Sequence, residues 1–214
     1  DPKGYLDRGE PSYVLSYLAD VDPYLGETAA DNRYAAVHGT DIFPDLFLGR
    51  LPVKTVADAQ AVVAKILAYE AAPEGDWQKA LSFVADDPDS AGDFRALSDA
   101  IIAGYVPQPG SPYSVERIYY GIDPHGSVAN TRTAILNAFA SGSLVINYAG
   151  HGSTMAWGGE GFFKTSQVPG LTNSVLPFMV PMTCQDGYYI LLRAASGTDL
   201  SCVSETLLRA PGKG

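Results

Sequence analysis

The chain has 214 residues, 46% of them hydrophobic, which suffices for one domain with its own core and does not require two. Asp plus Glu outnumber Lys plus Arg by 24 to 14, for a net charge of −10, and no basic cluster interrupts the acids, so a nucleic-acid backbone is excluded as a natural partner. No segment approaches the roughly 18 apolar residues of a membrane span, the two cysteines cannot build a disulfide framework, and neither a CxxC pair nor a His/Cys cluster at zinc spacing occurs.

In chain order, Tyr13 to Asp22 (YVLSYLADVD) is an apolar run ending in acids whose start reads as the first strand. Residues 30–45 form a Gly, Asp and Pro-rich loop in which His38 lies at the surface. A short apolar run, Leu46 to Val53, is interrupted by Gly49 and Arg50 and ended near Pro52. Thr55 with Asp58 three places on is a capping box. The apolar face that follows is Val56, Ala59, Val62, Val63, Ile66 and Leu67, in a helix that stops before Pro73. Ala80 to Ala85 is a buried strand ending in Asp86, Asp87, Pro88 and Asp89. Those acids read equally as a site and as a solvated turn that caps the helix Phe94 to Tyr105.

Pro107 to Pro112 is a turn, Val115 to Tyr120 a strand, and Ser127 or Asn130 caps a helix reaching Phe139, with His125 exposed in the turn before it. Two apolar runs follow, Leu144 to Tyr148 and Leu176 to Met182, and an amphipathic helix, Leu200 to Ala210, precedes the final PGKG. Alternating strands and helices predict an α/β fold with a doubly wound, mostly parallel sheet. A helix leading into Pro-Gly-Lys-Gly ordinarily feeds another strand, so residues 1–214 are expected to form a single domain that is incomplete, with further strands after Gly214.

The last two apolar runs break directly into polar tips carrying His151 and Cys184, 33 positions apart (184 minus 151). In open α/β sheets the ligand crevice lies beyond the carboxyl ends of the strands. A thiol and an imidazole at two such ends therefore form a candidate nucleophile and base. Gly150 and Gly152 flank the histidine, which allows close backbone approach and an N–H aimed at an oxyanion. The plain alternative for Cys184 is an inert core thiol.

The stretches GRLPVKTVADAQAVVAKILAYE, NYAGHGSTMAW, LTNSVLPFMVPMTCQDGYY and SETLLRAPGKG, in that order, resemble the catalytic domain of gingipain-type cysteine peptidases over roughly residues 30–214. The resemblance implies a caspase-like three-layer sandwich around a mostly parallel sheet. It also implies a catalytic dyad of His151 and Cys184, and an oxyanion hole from the N–H groups of Gly152 and Cys184. A third acid before the dyad is implied in the region of Asp86 and Asp87; spacing leaves Asp86, Asp87 and Asp89 all open as the carboxylate that steadies the imidazole. Trp157 falls where the family has a pocket-lining Trp, with a packing aromatic as the alternative. Gln185 and Asp186 are candidate substrate contacts, Asp186 either attracting a basic side chain or capping the turn. Expected with these are a protein or peptide substrate cut after Arg or Lys, no cofactor for the chemistry, a structural calcium ion, and a secreted or cell-surface location. A second chain or segment is expected to complete the domain. An inactive peptide-binding module and a sortase-like transpeptidase are the competing functions.

Overall fold

A computed structural model gives the fold, and it describes residues 14–106, 110–190 and 200–214. Four strands form one sheet in which every neighbouring pair is parallel: β3 (Ala80–Ala85), β4 (Ser114–Tyr119), β5 (Val145–Ala149) and β9 (Phe178–Met182), in the order β4-β3-β5-β9. Alternation along β3 splits the core between the two faces. Phe83 and Ala85 face helix α2 (Phe94–Tyr105) together with Tyr119, Ile102 and Val106. Val84, Ile118, Ile146 and Tyr148 face helices α3 (Val128–Ser141) and α4 (Val203–Arg209), where Ile135, Phe139, Val203 and Leu207 close the other half. Helix α1 (Val56–Glu70) packs on α4. The result is the three-layer α/β/α arrangement that the resemblance implied, around the parallel sheet expected from the alternation of elements.

Local signals hold at the helix starts. Thr55 Oγ1 accepts from Asp58 N at 3.1 Å and Asp58 Oδ2 accepts from Thr55 N at 3.0 Å, closing the capping box of α1. Asp93 caps α2 and Ser127, rather than Asn130, caps α3. His38 is exposed, whereas His125 is partly covered.

Several expectations change. The run ending at Asp22 does not enter the parallel sheet; β1 (Leu18–Asp22) makes an antiparallel hairpin with β2 (Gly26–Ala29), turned by Gly26 at φ 70°. Asp22 draws that turn tight by accepting from Tyr24 N and Leu25 N. Leu46 to Val53 forms no strand. The apolar stripe of α1 is only partly covered: Val62 is buried while Val56, Val63, Ile66 and Leu67 are exposed. The reason is that α1 rests on α4 through the side carrying Val62 and Lys65, so the periodicity identifies the helix but not its covered side. Lys65 Nζ is buried there and donates to the carbonyls of Leu207 (2.7 Å), Leu208 (3.3 Å) and Lys213 (2.6 Å), supplying donors to the last turn of α4. Part of the turn expected over 107–112, and the beginning of the run at Tyr13, lie outside the described residues.

Candidate active site

Register aligns the strand ends. Ala85 pairs with Ala149, and Ala149 with Met182, so β3, β5 and β9 finish level and side by side. The next residues in each strand's path are Asp86, Gly150 and Thr183, which brings the acidic tip, the His151 tip and the Cys184 tip to one edge.

His151 is held by both backbone and ring. Its N–H donates to Asp86 Oδ2 at 3.1 Å. Its carbonyl accepts from Gly158 N at 2.8 Å and from the Tyr148 hydroxyl in a very short contact. Its Nε2 lies 2.8 Å from Asp89 Oδ2, and the ring meets Phe94 edge-on with centroids 5.3 Å apart. Asp89 is itself fixed, because its other oxygen accepts from Ala91 N at 2.7 Å and its backbone bonds in both directions with Gly92. The Ala91 N–H, and after it the His151 ring, hold the Asp89 carboxyl below the usual carboxylate range.

Cys184 is a free and exposed thiol just beyond β9. The other thiol, Cys202, is buried and pushed up to about 12, first by desolvation and then by the Glu205 carboxylate. The His151 and Cys184 tips touch. A side chain at Gly152 would meet Thr183 Oγ1 at 2.3 Å and the Cys184 carbonyl oxygen at 3.2 Å, so only glycine lets the two backbones approach this closely. Thr154 Oγ1 lies 3.4 Å from Gln185 Oε1, and Gly150 N reaches the Met182 carbonyl at 3.4 Å. Gln185 holds φ at 59°, the left-handed region that a non-glycine residue seldom adopts, directly after the thiol.

Of the three candidate carboxylates, Asp89 meets the imidazole. Asp86 is 2% exposed and holds the histidine's backbone, with Asp87 N donating to its other oxygen at 3.0 Å; burial raises it despite these bonds. Asp87 is exposed and groups instead with Glu160. Two further expectations need correction. Trp157 does not line an open pocket: it is fully buried, stacked on Tyr148 with centroids 4.6 Å apart. Asp186 is 2% exposed and turned inward, accepting from Trp157 Nε1 at 3.3 Å and Ser204 Oγ at 2.7 Å. Hydrogen bonds from buried Trp157 and partly buried Ser204 draw this carboxylate inward, and desolvation raises its pKa. Gln185 remains exposed at the crevice.

The residues missed in the sequence are Tyr148 and Glu160. Tyr148 is hidden in an apolar run, yet a buried tyrosine at a strand end needs a partner for its hydroxyl, which here serves His151 and Gly158. Asp86, Asp87 and Glu160 bring one carboxylate oxygen each within 4.8 Å of one another. Calcium takes about six to eight oxygens. Three carboxylates, with both Asp86 oxygens already accepting N–H bonds, fall short of a calcium cage, and no step is built on the ion. Beside His151 opens a half-enclosed cleft of about 220 Å³, lined among others by Gly152, Ser153, Ala156, Gly159, Glu160 and Lys164.

A thiol and an imidazole on the tips of neighbouring parallel strands, with a carboxylate on one ring nitrogen, are the equipment of thiol-dependent acyl-transfer enzymes. Peptidase family C25 matches residues 3–214, and the chain belongs to that family. Gingipain R2 of Porphyromonas gingivalis is 29% identical over 192 residues, covering 86% of this chain and 24% of that protein. The crystal structure of the Arg-specific cysteine proteinase gingipain R (RgpB) superposes with a TM-score of 0.69 at 27% identity, over 91% of this chain and 43% of that one. The complex of the Porphyromonas gingivalis RgpB pro- and mature domains gives 0.67 at 28% identity, over 91% and 44%. The fold is thus the caspase-like α/β fold of these neighbours, and the chain spans about a quarter of the length of the curated relative and less than half of the solved ones.

Proposed function

We propose that the chain carries the catalytic dyad of a cysteine endopeptidase, with Cys184 as nucleophile and His151 as the proton carrier. The observation that carries this is the Asp89 carboxylate on His151 Nε2, at a tip in backbone contact with the tip of Cys184. With Nε2 committed to Asp89, Nδ1 is the nitrogen left to exchange a proton with the thiol. The thiolate sulfur attacks the scissile carbonyl carbon, and the N–H groups of Gly152 and Cys184 are proposed to receive the oxyanion. The imidazolium gives its proton to the departing amine as the C–N bond breaks. Water, deprotonated by the same imidazole, then cleaves the thioester and frees the acid.

A preference for Arg or Lys before the cut is proposed with it. Asp86, Asp87, Asp89 and Glu160 make this end of the sheet strongly negative, and the solved neighbour is described as Arg specific. A second chain or segment completing the domain is also proposed. Phe178 and Met182 on the outer strand β9 are exposed, and the Oδ1 of buried Asn147 beside it lacks a partner among the described residues. A secreted or surface location rests on the family alone; among the described residues no helix is long and apolar enough to cross a membrane.

The test is a peptide panel varied at the residue before the cut, run with the parent and with Cys184→Ala. Cleavage after Arg or Lys by the parent, lost in the variant, is expected. Equal cleavage by both proteins removes Cys184 as nucleophile, and faster cleavage after Asp, Asn or an apolar residue removes the proposed preference.

A further inference from the structure

The cleft beside His151 is built on the β6 (Gly152–Ser153), β7 (Ala156–Trp157) and β8 (Phe163–Lys164) sheet, and its wall includes His151 and Gly152 of the proposed site. The turn from Gly158 to Gly161, which lines it, is fixed in advance. Gly158 N donates to the His151 carbonyl and to the Tyr148 hydroxyl, Gly161 N donates to the Gly158 carbonyl at 3.1 Å, and Arg132 donates to the carbonyls of Gly161 (3.0 Å) and Phe162 (3.1 Å). A rigid cleft loses little entropy when a side chain enters it.

Its position gives its role. His151 forms part of the wall and Cys184 does not. In acyl transfer the acyl half of the substrate stays on sulfur while the amine half departs past the imidazole that protonates it. A cleft on the imidazole side therefore faces the amine half. Its lip carries Glu160, whose carboxylate is crowded against those of Asp86 and Asp87. Like charges so placed gain from an entering cation. The one ammonium on the wall, Lys164, lays its stem against Gly161, where a side-chain carbon would meet Lys164 Cε at 2.2 Å. Glu160 and Lys164 are the two charged side chains on the wall, and Asp86 and Asp87, which do not line it, add negative charge behind Glu160.

We infer that this cleft is the subsite for the first residue after the cut bond, and that Glu160 makes it select a lysine or arginine side chain there. The inference rests on the dyad reading and adds to it a second selection, on the opposite side of the bond from the one proposed above. Gly159 supplies a steric probe. It lines the cleft, its φ is outside the left-handed region, and a side-chain carbon built on it meets nothing within 4 Å, so a larger residue fits the fold and occupies the space.

The test uses the full chain and quenched peptides that differ only in the first residue after the cut, Lys, Gly or Asp. The parent is expected to favour Lys over Gly by about two- to fivefold in kcat/KM, the scale of one partly screened ion pair, with Asp last. Glu160→Gln should bring Lys and Gly close to parity, Glu160→Lys should place Asp above Lys, and Gly159→Leu should erase the ranking. The same order and spread in the parent and all three variants would overturn the subsite. Binding of the labelled amine-half peptides to Cys184→Ala, followed by anisotropy with and without Glu160→Lys, separates this inference from the dyad. Absence of any cleavage by the parent tells against the dyad reading, while equal affinity for Lys and Asp peptides tells against the subsite.

Discussion

Asp89 Oδ2 and His151 Nε2 are 2.8 Å apart although 62 residues separate them in sequence, and both side chains are about half exposed. An exposed pair adds little to stability, and in the proposed dyad its role is to fix which ring nitrogen exchanges the proton. Asp89→Asn should lower kcat by about 10- to 1000-fold with a smaller change in KM, because the amide no longer favours one tautomer or balances the imidazolium. Since the Asp89 pKa is depressed in the folded protein, the contact is present above the ordinary carboxylate value near 3.9 and is lost as pH falls through the lower folded value. Steady-state kinetics decide it; an unchanged kcat would leave Asp89 as a turn residue only.

The two thiols should react very differently. Cys202, pushed up to about 12, is thiolate at roughly one part in ten thousand near pH 8, and it is buried. Brief iodoacetamide treatment followed by peptide mapping should find the label on Cys184 and none on Cys202 until denaturant is added. Label on both at equal rates would mean that α4 opens readily.

Lys65 gives stability a pH dependence on the alkaline side. Burial lowers its pKa to about 8 in the fold, while in the unfolded chain it holds its proton to about 10.4. Between those values the unfolded state binds more protons, so stability rises with pH across the window. Urea titrations at several alkaline pH values should show this rise in the parent and a flatter profile in Lys65→Met. The variant should also be less stable below the window, because three carbonyls lose their donor. A slope retained in the variant would assign it to another group.

Asp186 has the opposite sense. Its pKa is raised by burial, so the folded state keeps a proton that the unfolded state has lost, and stability declines as pH rises from near 3.9 through the folded value. Asp186→Asn keeps one acceptor oxygen for Trp157 Nε1, turns its amide N–H toward the Ser204 hydroxyl, carries no titrating proton and should flatten that decline. Thermal melts across the acidic range will show it, and a decline of undiminished slope in the variant would exclude Asp186 as its source.

Legibility in the sequence followed the range of the interactions involved. The strand Ala80–Ala85, the helix Phe94–Tyr105 and the Thr55 capping box are written within a few residues, and all three stand where expected. Which side of α1 is covered depends on α4, about 140 residues away, and local periodicity does not carry that. That the His151 and Cys184 tips would stand side by side was legible because both apolar runs read as neighbouring strands of one parallel sheet. Asp89 was legible only as one of three acids, since its choice over Asp86 depends on the turn through Gly92. The inward rotation of Trp157 and Asp186 depends on Ser204 and Tyr148, and spacing within a tip says nothing about partners on other elements.

The Tyr148 hydroxyl has a consequence for how the tip moves. Its ring belongs to a column that continues through Trp157 and Phe163 to Phe139, in the middle of the α3 side of the core. The surface loop carrying the imidazole is therefore suspended from this fully buried aromatic column, and the amide of Gly158 is locked onto that suspension. Amide protons of such a loop would exchange with solvent on the schedule of the core and not of the surface. Loosening the tip then requires breathing of the aromatic column, so distant cavities, such as one left by trimming Phe139, would be felt as a slackened histidine before the sheet itself gave way.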